Sequence, residues 1–297
     1  MRYCFAAILT MLIFGGCVSS TPAPKKTVVK QEVLPGWVLH PQSGGALRAV
    51  GSSPVNFQGT YIQRLEAMAD ARDKLSHAIK VYITSVFESR LEANGNELTH
   101  ESRKSITELS NIIMKESYQV DAYVANDGRL YVLVEASDST IAPLLKGVKN
   151  TAEPLKAFKT TPYNPQALRE SRCYDTDTLN SINTVSRLYR GRPVWFYRPN
   201  QNGTIGSIGI AEKEEGGSYL RQKHTAESLA RSDLAKRMRI KIDSSHKMTK
   251  ILQHGELGSL LDKEMHTKSI SKVMHTEIKD IWMDPKNCEL YVWMVKK

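Results

Sequence analysis

VDAYVANDGRLYV, Val120 to Val132, is answered far downstream by KDIWMDPKNCELYV, Lys279 to Val292. Each stretch alternates apolar and polar residues, breaks at a turn, and resumes as LYV, so each predicts a β-hairpin. Asp127-Gly128 is a short-turn signal, which the second stretch replaces with the longer Pro285-Lys286-Asn287-Cys288. Working outward, ARDKL (Ala71 to Leu75) meets ARSDL (Ala230 to Leu234), and Tyr61 meets Tyr219. AVG (Ala49 to Gly51) meets SIG (Ser207 to Gly209), and PGWVLHP (Pro35 to Pro41) meets PVWFYRP (Pro193 to Pro199). Matches in one order with almost constant spacing read as an internal duplication.

The repeated unit predicts an α+β fold: two tandem copies of a two-layer arrangement, strand-helix-strand-helix-strand-strand, with the helices on one face of a mainly antiparallel sheet. The Trp–Pro opening and the run to Gly51 or Gly209 read as an extended segment ending in a glycine turn. Ile62, Leu65, Met68, Leu75 and Ile79 recur at three-and-four spacing, as do Ala226, Leu229, Leu234 and Met238, which predicts a helix in each copy. Ala67 and Ala71 keep one flank of the first helix thin. VYITSVF (Val81 to Phe87) and RIKID (Arg239 to Asp243) shift to period two and predict a strand. A second helix is expected over about 101–115 and its counterpart over about 257–273. The expected boundaries are 1–16 for a leader, 17–34 for a tether, 35–139 and 193–297 for the two repeat domains, and 140–192 for a linker with short helices.

The leader reading rests on LIFGGC, Leu12 to Cys17. Arg2 is the one charge before Cys17, and Phe5 to Phe14 is apolar apart from Thr10. That run of about 10 residues suits a signal-peptide core and is too short to span a bilayer. Gly15 and Gly16 set Cys17 up as the lipidated first residue of a mature lipoprotein, and the Ser-, Thr-, Pro- and Lys-rich stretch after it reads as a flexible tether. In the oxidising compartment this implies, Cys173 and Cys288 are a candidate disulfide, with two separate thiols as the competing reading.

The formal net charge is +10, and its distribution is uneven. Pro35 to Ala136 holds 10 basic and 12 acidic side chains, whereas Pro193 to Lys297 holds 18 and 13. The basic second half suits anionic lipid phosphates or acidic partners, and the expected compartment argues against nucleic acid. Sites for chemistry are not legible. GTIGSIG lacks the helix start that a phosphate loop needs. Ser244-Ser245-His246-Lys247 has S-x-x-K spacing without a K-T-G companion, and the eight histidines form no metal-ligand pattern. The expectation is a protein that is not an enzyme and carries no cofactor or metal. Trp37 and Trp195 are its candidate partner-binding or core anchors, and Arg72 and Arg231 are expected to pair with a nearby acid.

The combination of a lipobox, a Pro-x-Trp opening, a strand ending in glycine, an Ala-Arg-rich helix, a period-two strand and a terminal LYV hairpin resembles the LPP-twenty-type bacterial outer-membrane lipoproteins, which include FlgP-like flagellar and envelope members. The resemblance covers Pro35 to Ala136 and again Pro193 to Val295. It implies a palmitate-bearing structural or assembly protein of the cell outer membrane, facing the periplasm. Its implied partners are envelope or flagellar proteins and copies of itself. Two further readings stand beside it: a module binding peptidoglycan or lipopolysaccharide, and an activator of a cell-wall synthase.

Overall fold

A computed structural model describes residues 32–42, 47–92, 97, 99–136, 155–201, 203–254 and 275–297. Two three-stranded antiparallel sheets form its frame. In the first, β1 (Arg48–Ser53), β2 (Tyr118–Val124) and β3 (Leu130–Glu135) are ordered β1-β3-β2. Between β1 and β2 run α2 (Gly59–Glu92) and α3 (His100–Lys115), and α1 (Gly36–Leu39) precedes β1. The connection to the second sheet carries α4 (Pro165–Glu170), α5 (Thr176–Ser181) and a two-residue ladder, β4 (Leu188–Tyr189) with β5 (Arg192–Pro193). Then come α6 (Val194–Tyr197), β6 (Gly206–Ala211), α7 (Tyr219–His254), β7 (Thr276–Met283) and β8 (Leu290–Lys296), with strand order β6-β8-β7.

The helices α3, α4 and α5 start where a side chain supplies an acceptor for a free N–H group. The Thr99 hydroxyl accepts from Ser102 N, Asn164 Oδ1 from Gln166 N, and Asp175 Oδ1 from Thr178 N. Pro165 occupies the first turn of α4, where its missing N–H costs nothing. The long α2 buries Arg64, Ala67, Met68, Ala71, Leu75, Ile79, Ile83 and Phe87 along one stripe.

That stripe corrects the expected strand over Val81 to Phe87. Ile79, Ile83 and Phe87 stand four residues apart and are buried, while Val81 is 69% exposed, so the helical period is satisfied straight through the segment. RIKID likewise belongs to the uninterrupted α7. The first half is therefore strand, helix, helix, strand, strand. The helix expected over 257–273 lies outside the described residues.

The glycines are also placed differently from the expectation of a turn. Gly51 and Gly209 sit inside β1 and β6, under a helix. A Cβ on Gly51 would stand 2.0 Å from Ala67 O, and one on Gly209 would stand 1.8 Å from Ala226 O. Glycine in the strand and alanine in the helix let the two backbones touch. The Trp–Pro openings are single helical turns, α1 and α6, rather than extended segments.

One core crosses both halves. Ile79, Ile83, Phe87 and Val132 share a buried cluster with Trp195, Phe196, Ile208, Ile210, Trp282 and Tyr291, and Val33–Lys297 forms one compact unit. The alternation along β6 explains how. Gly209 and Ala211 turn toward α7 (Ala226, Ala230), whereas Ile208 and Ile210 turn toward the shared cluster. Every residue of β6 is buried, while β1 leaves Val50 and Ser52 half-exposed. The second sheet is thus covered on both faces, and the two halves do not close separate cores.

Candidate functional site

Where the halves meet, the burial is polar as well as apolar. Both hairpins begin with a β-bulge, at Gln119/Asp121 in one and Ile278/Asp280 in the other, and each bulge presents an aspartate. Asp280 is buried and takes four N–H donors: Val185 N and Ser186 N at 3.1 Å, Ile281 N at 2.9 Å and Trp195 Nε1 at 2.8 Å. Asp121 accepts from Ala122 N and from an Arg198 Nη, both at 2.8 Å. Arg198 belongs to the segment just after α6, so the first half's aspartate is bonded by the second half. Burial pushes the Asp121 carboxyl above the usual carboxylate range, against the opposing pull of Arg198. The Arg198 guanidinium also lies over the Phe158 ring at 3.9 Å.

Gln119, at the other side of the first bulge, continues the seam. Its Nε2 donates to Phe196 O and Tyr197 O at 3.2 and 2.8 Å, and its Oε1 accepts from Arg64. Asn200 Nδ2 donates to Gln119 O at 2.9 Å. At the far end, Thr60 N and Oγ1 donate to Glu289 at 3.1 and 2.9 Å, and the Tyr291 hydroxyl donates to the same carboxylate at 2.7 Å. Tyr197 and Tyr291 are both pushed up by burial, Tyr197 to about 12.

The predicted anchors separate here. Trp195 is fully buried, stacks 6.2 Å from Trp293 and bonds Asp280, so it belongs to the core and is not a surface contact. Trp37 is half-buried on α1, none of whose residues is buried. Cys173 and Cys288 are bonded, with Cα atoms 5.4 Å apart, which ties the segment between α4 and α5 to the second hairpin turn. Cys288 adopts φ 60°, a left-handed position that Gly128 fills with φ 82° in the first hairpin. Cys17 lies outside the described residues. Arg72 does not pair with an acid among the described residues: its Nη reaches Ser117 O at 3.5 Å. Arg231 is exposed. Ser244 to Lys247 lies within α7 rather than at a strand end.

Two matched glutamines escaped the sequence reading. Gln63 Nε2 donates to Ser53 O and Gly128 O at 3.2 and 2.9 Å, and Gln222 Nε2 donates to Ala211 O and Cys288 O, both at 2.8 Å. Each fastens the end of the first strand of its sheet to the hairpin turn. Their recurrence in register with ARDKL and ARSDL was the available signal, as it was for Asp121 and Asp280. Among the described residues there is no cluster of metal-ligating side chains, and no helix is long and apolar enough to cross a membrane.

No family model matches the chain, and no curated protein matches it either.

Proposed function

We propose that the chain is an outer-membrane-anchored structural or assembly lipoprotein, built from a tandem repeat, that binds protein partners in the cell envelope, with a flagellar setting as its narrower form. Gly15-Gly16-Cys17 behind its apolar run supports the anchor. The matched strand orders, the two bulged aspartates, the two stapling glutamines and the paired Gly51 and Gly209 contacts support the duplication.

The observation that carries partner binding is the contrast between α1 and α6. PVWFYRP is buried at Trp195, Phe196 and Tyr197, and its Phe196 and Tyr197 carbonyls accept from Gln119 of the first half. PGWVLHP forms the same helical turn with none of its residues buried. Leu39 is 63% exposed and Val33, just upstream, is 87% exposed. A half-buried tryptophan beside exposed aliphatic side chains is a suitable anchor for an envelope protein or a second copy.

A photo-crosslinker placed at Leu39 in cells should capture a discrete protein partner, and Trp37→Ala should abolish capture while the protein still folds. Unchanged capture by Trp37→Ala would remove α1 as the contact. Separately, metabolic labelling with an alkyne palmitate should mark the wild type and not Cys17→Ser, which should leave the outer-membrane fraction. An unlabelled wild type would refute the anchor.

A further inference from the structure

Three arginines gather where α2, the start of β2 and α7 meet. Arg64 is buried, and its guanidinium donates to the neutral Gln119 Oε1 at 3.1 and 2.9 Å. Arg72, about two turns along α2, reaches only the Ser117 carbonyl, at 3.5 Å. Its Nε and the Ser117 hydroxyl are both buried without a hydrogen-bond partner among the described residues. Arg237 of α7 donates to Gly206 O and, at 3.0 Å, to Asn200 Oδ1. None of the three forms an ion pair with a described carboxylate. The acid within their common field is Asp233, which accepts from the Ser207 hydroxyl at 2.7 Å. Burial holds all three guanidiniums below their ordinary range, Arg237 at about 10.

Buried cations held by neutral acceptors are costly to the folded state unless a counter-charge arrives. A cavity of about 290 Å³ adjoins the cluster, and Arg237, Ser117, Asn200, Thr204 and Lys115 line it. Glu116 is the carboxylate among its described lining residues. Of the charged residues that line it, Arg237 and Lys115 stand against Glu116, an excess of one positive charge, and Arg64 and Arg72 lie in the same field as Arg237. A phosphate group carries about −1.5 to −2 at neutral pH, and guanidiniums match its oxygens with paired donors.

We propose that this cavity binds a small oxyanion, a phosphate or the phosphate-monoester end of a larger molecule. Arg237 and Lys115, which line the cavity, act as the cationic donors and the Ser117 and Thr204 hydroxyls as the neutral ones. The inference is independent of the lipoprotein reading. It gives the seam a ligand that contacts the junction of α3 with β2 and the α7 helix together, so occupancy stabilises both halves at once.

The test uses the full chain in detergent. Inorganic phosphate, compared with chloride at matched ionic strength, should raise Tm saturably, by about 3–6 °C at tenfold excess over Kd. Titration calorimetry should give a matching Kd, and Arg237→Gln should weaken it at least tenfold while the exposed-site control Arg231→Gln does not. Phosphate-31 line broadening by the wild type, reduced in Lys115→Gln at an exposed lining position, supplies the same readout should Arg237→Gln fail to fold. Vesicles of phosphatidylcholine with phosphatidic acid separate the sources. Binding competed by free phosphate identifies a lipid head group, and phosphate binding without vesicle binding identifies a soluble phosphate compound. Absence of heat, Tm rise and line broadening in the wild type overturns the proposal, as does phosphate affinity unchanged in both Arg237→Gln and Lys115→Gln, or vesicle binding that free phosphate does not compete.

Discussion

Trp195 and Trp37 occupy one sequence motif and two physical situations. Trp195→Ala removes a buried indole and leaves Asp280 one donor short, so the expected cost is about 3–5 kcal/mol by urea unfolding, whereas Trp37→Ala should cost far less. Gly209→Ala should cost about 1–3 kcal/mol, because the new Cβ cannot clear Ala226 O without moving strand from helix. Asp121 predicts a pH effect of unusual sign. Its folded-state pKa is raised by burial, so the folded state binds the proton more tightly than the unfolded chain does. Its contribution is favourable below the unfolded value of about 3.9 and is lost as pH rises through the raised folded value. Relative to wild type, Asp121→Asn should therefore flatten the Tm profile across that window, and an unchanged profile would rule this contribution out. Recurrence in register marked Asp121 and Asp280 as a pair but not as buried, because a single acid within an alternating strand looks solvent-facing until a bulge turns it inward.

At the scale of the element, the segment Val81 to Phe87 shows why short periodicities mislead. A seven-residue window with apolar residues at its first, third and last positions fits a strand, but two of those three also fit a helix stripe. The choice fell to Ile79, four residues before Ile83, which carries the buried stripe of the helix into this segment. Ile83→Ala should cost about 2–5 kcal/mol, and Val81→Lys should stay within about 0.5 kcal/mol, as for an exposed position. Equal costs at the two sites would instead indicate a strand face. The hairpin turns behave similarly. Gly128 takes its left-handed φ freely, whereas Cys288 holds the matching conformation while bonded to Cys173. The bond closes a loop with a sequence separation of 115, for which chain entropy gives about 4–5 kcal/mol. Reduction or Cys173→Ser should lower Tm accordingly, and free thiols under non-reducing mass spectrometry would exclude the bond.

For the molecule as a whole, the shared core and the seam through Gln119, Asp121 and Glu289 predict a single cooperative unfolding transition over Val33–Lys297. Calorimetric and van't Hoff enthalpies should agree, and Trp195→Ala should shift the whole transition. Two resolved transitions, one of them unmoved by Trp195→Ala, would mean that each half folds alone. The two halves differ in the way this requires: the β1 face away from its helix carries Arg48, Val50 and Ser52, while the matching β6 face carries Gly206, Ile208 and Ile210. That difference was legible beforehand, since a strand covered on both faces needs no alternation.

The sequence by itself determined the mixed α+β content, the closing hairpins and the α3 segment, because turn residues and apolar periods act over a few neighbours. It also left Cys173 and Cys288 as the available disulfide pair. Tertiary structure decided that α2 runs on through Val81 to Phe87, that Gly51 and Gly209 lie under helices, and that Trp195 is buried while Trp37 is not. It also brought Arg64, Arg72 and Arg237 into one field. Those outcomes depend on which surface meets which across the seam, and such contacts join residues from separate halves that no local period records.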